Sequence, residues 1–209
     1  GPGWLNRRGR WEAPYELLAK SYDDGMKYYG KLKAEGKLID MSMSEFAGKV
    51  VVVTGGAQGI GRCIAEQFSA AGAVVCVFDL QENPYFVGDL SREADLRAFC
   101  AKVLADYGHV DYIINNAAPL FKGLPDCSWQ EFNYALQVGV AAPYMLARLF
   151  LEHFAPGAAI VNISSSRDRM SMPGSESYTA AKGGIAALTH ALAVSLAGRV
   201  RVNSISPGW

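Results

Sequence analysis

The chain has 209 residues, half of them apolar, and its 20 Lys and Arg balance 20 Asp and Glu. That length fits one globular domain with an added segment, and the neutral balance argues against a nucleic-acid partner held mainly by phosphate contacts. Cys63, Cys76, Cys100 and Cys127 form neither a disulfide framework nor a CxxC pair, and His109, His153 and His190 lack ligand spacing, so no metal is expected. No apolar run reaches the roughly 18 residues of a membrane helix. The opening GPGWLNRRGRWE has no apolar core for a signal peptide. The expectation is a protein with no membrane partner in a reducing, cytoplasmic setting.

Residues 1–49 read as an aromatic and charged arm. Leu18, Tyr22, Met26, Tyr29 and Leu32 recur at three- and four-residue steps, which predicts an amphipathic helix weakened by Gly25 and Gly30. From residue 50 short apolar runs alternate with longer helical stretches. VVVVT (50–54) is continuous and β-branched, as in a strand buried on both faces. A helix follows and closes at Gly72. Strands are expected at 74–79 and 85–90, then a helix capped by Ser91, a strand entering a loop at 110–118, and a helical stretch from Pro125 to Phe154 with Ser128 as cap. A strand at 158–166, a long helix at 176–198 and a strand at 200–206 complete the series. This repetition builds an α/β fold, a Rossmann-type doubly wound parallel sheet with helices on both faces, over residues 50–209.

TGGAQGIG places Gly55, Gly59 and Gly61 between the first strand and its helix. Glycine there permits a tight turn, leaves room for a pyrophosphate and aims a helix N-terminus at negative charge. Asp79 ends the second strand, where a carboxylate accepts from adenosine ribose hydroxyls and repels a 2′-phosphate; Gln58 and Leu80 offer no compensating charge, which favours NAD. Asp89 is a candidate for the adenine edge, with Leu90 against the ring; a solvated loop Asp is the alternative.

Tyr178 and Lys182 lie four apart and share one helix face. A phenol titrates near 10, and a nearby ammonium favours its ionised form, the requirement for proton exchange with an alcohol. Ser165 follows the fifth strand, at the sheet edge where open α/β folds bind ligands. With TGGAQGIG, Asp79, NNAA (115–118), Ser165, YTAAK (178–182) and VRVNSISPG (200–208) in this order, the chain resembles the classical short-chain dehydrogenase/reductase family. The resemblance implies hydride transfer between a nicotinamide cofactor and an alcohol or carbonyl substrate, with Ser165, Tyr178 and Lys182 catalytic. It also implies cofactor contacts from Gly55, Gln58, Gly59, Ile60, Gly61, Asp79, Leu80, Asp89, Leu90, Asn116, Ala117, Ala118, Tyr178, Lys182, Pro207 and Gly208.

Three departures from the family pattern stand out. Gly139 occupies the place of an Asn that, in the family, props a helix bulge and holds a proton-relaying water, so restoring Asn is expected to raise turnover. Ala118 replaces a usual Gly. A further strand and substrate lid follow the PG motif in the family, so the domain reads as incomplete at its C-terminus. The leading function is an NAD-dependent oxidoreductase; the alternative is a non-catalytic dinucleotide-binding or assembly protein on the same fold. Arg167 and Arg169 are candidates to attract an anionic substrate, with solvated surface arginines as the alternative. Ala-rich stretches at 133–154 and 176–197 permit close helix packing, and the resemblance implies a homodimer or homotetramer through them.

Overall fold

The computed structural model describes residues 43–124 and 126–208, and Met43–Gly208 form one compact unit. The helix expected between Leu18 and Leu32 lies outside the described residues. A short 3-10 turn, Met43–Phe46, leads into strand β1, Val50–Thr54. Helix α1, Gly59–Ala70, and strand β2, Val74–Asp79, follow; Gly72 turns the chain between them with φ +81°. Then come β3 (Phe86–Val87), α2 (Glu93–Tyr107) and β4 (Val110–Asn115). Helix α3 (Trp129–Leu136) runs through a π-helical turn, Gln137–Ala141, into α4 (Ala142–Leu149). Strand β5 (Phe154–Ile163), helix α5 (Glu176–Ser195) and strand β6 (Arg201–Ile205) end the series.

The six strands form one parallel sheet in the order β3-β2-β1-β4-β5-β6. The order reverses at β1, so the crevice beyond the carboxyl ends of β1 and β4 is the expected ligand position. The continuous valines of β1 serve two cores at once. Val50 and Val52 pack with Leu96, Phe99, Leu146 and Phe150 on one face, whereas Val51 and Val53 pack with Ala65 and Ile114 on the other. A strand buried on both faces has no polar side to show, and this is why β1 does not alternate.

Several element limits differ from the sequence expectation. Strand β3 keeps only Phe86–Val87, and β5 begins at Phe154, which the helical reading had absorbed. Ser91 does not cap α2; the cap position is Arg92, without a side-chain bond, and the Ser91 N–H is instead bound by Asp89 Oδ1 at 2.8 Å. Ser128 does cap α3. Its Oγ accepts from Glu131 N at 3.2 Å while its own N–H donates to Glu131 Oε2 at 2.9 Å, a reciprocal capping box.

Candidate active site

The turn after β1 is tightly packed at Gly55 and Gly61. Gly55 has φ +64°, and a Cβ there would lie 2.7 Å from Ala117 Cα; a Cβ on Gly61 would collide with Gly55 O and Asn116 Nδ2. Asn116 clasps this turn, its Nδ2 donating to Thr54 O at 3.1 Å and Gly55 O at 3.0 Å. Thr54 Oγ1 in return accepts from the N–H groups of Asn116 and Ala117. Asn116 is therefore the fastener of the glycine turn as well as part of the cleft wall. Ala118 is accommodated because its backbone does not need positive φ, which among the described residues only glycines adopt.

A cleft of about 490 Å³ opens along the carboxyl edge of the sheet. At one end lie Gly55, Gln58, Gly59, Ile60 and Gly61, where α1 begins with no acidic residue in its first turn and no side chain capping its N–H groups. That end is built for an anion. Asp79 and Leu80 border it. The Asp79 carboxylate, 9% exposed, accepts from Ala57 N at 2.9 Å and Gln81 N at 3.0 Å, one bond per oxygen. It is thus fixed to the glycine turn and keeps lone pairs for a second donor. Asp89 and Leu90 also line the cleft. One Asp89 oxygen is engaged by Ser91 N, and its carboxylate lies beside Tyr134, a wall residue without a sequence signal. Burial, then the Asp89 charge, push the Tyr134 phenol above its ordinary range.

The opposite end gathers Asn116, Ala117, Ala118, Ser165, Tyr178, Lys182 and Pro207. Of the expected contacts only Gly208 is not in this wall; the nearest atoms to a Cβ there would belong to Ser166, at 3.5 Å. Gly88, Val138, Ile163 and Ser164 join the wall as well, placed by the sheet and the π-helical turn rather than by any local motif. Arg167 and Arg169 are not among the wall residues.

Ser165 precedes a 3-10 turn, and its Oγ accepts from Arg167 N at 3.2 Å. The loop holding it is pinned to the end of β6 by Ser164 N to Ile205 O at 2.7 Å and Ser166 N to Pro207 O at 2.9 Å. Tyr178 stands in the first turns of α5. Four residues on, Lys182 Nζ lies 5.4 Å from the Tyr178 ring centroid and donates to Ile163 O at 2.6 Å. Lys182 is 4% exposed, and burial pulls its ammonium down to about 8. Beneath this end Asn115 Nδ2 donates to Asn162 Oδ1, and Asn162 Nδ2 to Thr189 Oγ1, tying β4, β5 and α5 together.

Gly139 lies inside the π-helical turn Gln137–Ala141. The bulge forms although the side chain expected to prop it is absent. A Cβ at 139 would fall 2.8 Å from Ala181 Cβ and 3.2 Å from Pro119 Cβ, so glycine is what lets α5 approach, and the expectation that Asn would raise turnover is reversed. Ala181 sits between Tyr178 and Lys182 on that helix and is fully buried. Gly139→Asn is expected to destabilise the protein by about 1–3 kcal/mol, the usual range for overpacking, and to lower turnover by displacing α5. Thermal melts and rates measured on the same preparation check both effects.

These residues fit a dinucleotide. Gly55 and Gly61 leave no room for a Cβ, the uncapped α1 terminus borders the cleft, and the buried Asp79 carboxylate is fixed with lone pairs to spare, the features that would receive a pyrophosphate and a ribose.

Comparison with known proteins agrees. A family model described as enoyl-(acyl carrier protein) reductase matches residues 55–209. An uncharacterized oxidoreductase of Thermotoga maritima is 37% identical over 182 residues, covering 78% of this chain and 71% of that protein. The L-fucose dehydrogenase of Mus musculus is 35% identical over 183 residues, 80% of this chain and 67% of its own. Among solved structures, an apo SCOR enzyme from Clostridium thermocellum is 40% identical with a TM-score of 0.73, covering 78% of this chain and 72% of that one. The ligand-free aldohexose dehydrogenase of Thermoplasma acidophilum is 26% identical with a TM-score of 0.73, covering 79% and 68%.

Proposed function

The chain belongs to the short-chain dehydrogenase/reductase family, and from that premise we propose that it is an NAD-dependent dehydrogenase acting on a ring alcohol of sugar type through Ser165, Tyr178 and Lys182. The observation that carries this reading is the single cleft in which a glycine turn, a fixed ribose-side carboxylate and those three side chains meet. The substrate class is supported by two relatives, one named for L-fucose and one for aldohexoses.

When bound, the nicotinamide supplies the hydride acceptor, so that the alcohol carbon yields a hydride, its oxygen yields a proton, and a carbonyl, NADH and a proton result. The protein's own residues do the rest. Ser165 Oγ already accepts from Arg167 N, and its hydroxyl proton is directed to the substrate oxygen. Tyr178 Oη takes the proton leaving that oxygen. Lys182, anchored by Ile163 O, provides the positive charge at this end and a donor for the cofactor's ribose. Purified protein given NAD⁺ with L-fucose or an aldohexose is expected to produce NADH, read by absorbance; silence across a panel of pyranoses and cyclic alcohols would overturn the reading.

Cofactor choice follows from Asp79. No Lys or Arg lines the cleft beside it among the described residues, so a 2′-phosphate would meet an uncompensated carboxylate. NADH is expected to bind at least about tenfold more tightly than NADPH, equivalent to about 1.4 kcal/mol. Asp79→Ser should narrow that gap from both sides, because it relieves the repulsion and also frees Ala57 N and Gln81 N. Parallel titrations with the two cofactors decide, and equal wild-type affinities would remove the ribose-clamp argument.

A further inference from the structure

The ring of Tyr178 has an aromatic neighbour that the chemistry described so far does not use. Phe121, on the loop after β4 and just outside the cleft wall that Tyr178 lines, lies with its ring centroid 5.2 Å from that of Tyr178 at an interplanar angle of 42°, yet remains 47% exposed. An exposed phenylalanine on a loop is ordinarily free to move. This one is held by a strap on either side. Ser177, fully buried and one residue before Tyr178, donates from Oγ to Leu120 O at 2.7 Å and accepts there from Lys122 N at 2.9 Å. Its own N–H donates to Lys122 O at 2.9 Å. Three hydrogen bonds thus fix the residues flanking Phe121 to the first turn of α5.

We propose that Phe121 is the specificity-determining platform of the site, an apolar aromatic face on which one side of a ring alcohol rests while its carbinol oxygen meets Ser165 and Tyr178. The proposal rests on the dehydrogenase reading above. A ring whose C–H groups line one face covers an aromatic side chain and is attracted to its electron-rich surface. A three-carbon acyclic alcohol can reach Tyr178 but has too little apolar face to cover Phe121. Ser177 is then a positioning residue, acting through the strap and not by touching substrate.

The test compares cyclohexanol with propan-2-ol in wild-type protein, Phe121→Ala, Phe121→Tyr and Ser177→Ala. It uses oxidation rates with NAD⁺ and, separately, saturation-transfer NMR of cyclohexanol on cofactor-free protein. Phe121→Ala is expected to lower the ring-over-acyclic ratio of kcat/KM by about tenfold, carried by KM. It should also weaken the cyclohexanol transfer signal. Phe121→Tyr, which keeps the face, restores both, and Ser177→Ala falls between. An unchanged ratio with an unchanged transfer signal would overturn the platform and leave the dehydrogenase reading standing. Wild-type protein that oxidises neither these alcohols nor any member of the pyranose panel, but shows a transfer signal lost in Phe121→Ala, would sink the dehydrogenase reading and keep the platform. Absence of turnover across that panel together with absence of the signal in the wild type would sink both.

Discussion

Tyr178→Phe is expected to lower turnover by roughly 10²–10⁴-fold, the usual worth of a positioned acid or base, while NADH affinity stays within about threefold. The substitution removes one oxygen and keeps the ring that packs on Phe121. The helix is untouched, and so are Lys182 and its bond to Ile163 O. The glycine turn and Asp79, proposed to receive the pyrophosphate and ribose, line the other end of the cleft. The loss should therefore appear in kcat, with the cofactor titration and the melting curve close to wild type. A variant that keeps a substantial fraction of wild-type turnover would show that another group moves the proton. A variant that loses cofactor binding as well would show that the phenol oxygen, and not only the ring, helps to hold the cofactor.

How much of this was legible before the structure depended on the range of the interaction concerned. The β1 run, the glycine turn and the Tyr178–Lys182 pair are local: a strand buried on both faces, a turn needing positive φ at Gly55 and two residues on one helix face all leave short-range marks in the sequence. The Ser128 cap was legible because its Glu131 partner is three residues away. Ser91 misled for a related reason, since Asp89, two residues earlier, bound its N–H and moved the helix start onward. The π-helical turn at Gln137–Ala141 was foreseen only as the helix bulge of the resembled family, because the residues that close on its Gly139, Ala181 and Pro119, come from other parts of the chain. Phe121 and Tyr134 were invisible for the same cause. What marks them is their contact with Tyr178 and Asp89, far away in the chain, and neither lies in a periodic run that would single it out.

Lys182→Met should show that the catalytic end of the cleft is held at a cost to the fold. Burial lowers the folded-state ammonium from the usual 10.5 to about 8. Below pH 8 folded and unfolded chains both hold that proton, and the folded chain carries the whole cost of the buried charge, about 3 kcal/mol at ~1.4 kcal/mol per tenfold ratio. Between pH 8 and 10.5 the folded chain releases the proton while the unfolded chain keeps it, so stability rises with pH; above 10.5 the cost is gone. Methionine keeps most of the volume and removes the charge at every pH. It also leaves Ile163 O without its donor, a penalty of about 1–3 kcal/mol that does not vary with pH, since the neutral amine still donates. The difference in unfolding free energy, Lys182→Met minus wild type, should therefore fall by about 3 kcal/mol from pH 7 to above pH 10.5 in cofactor-free protein, whatever its sign at pH 7. Denaturant melts of the two proteins at both pH values give that difference directly, and other titrating groups cancel from it. A difference that does not move with pH would mean the ammonium is solvated in the folded chain. The same variant should be deficient in turnover at pH 7, where the wild-type amine is charged, because the charge that burdens the fold is the one proposed to act at this end of the cleft.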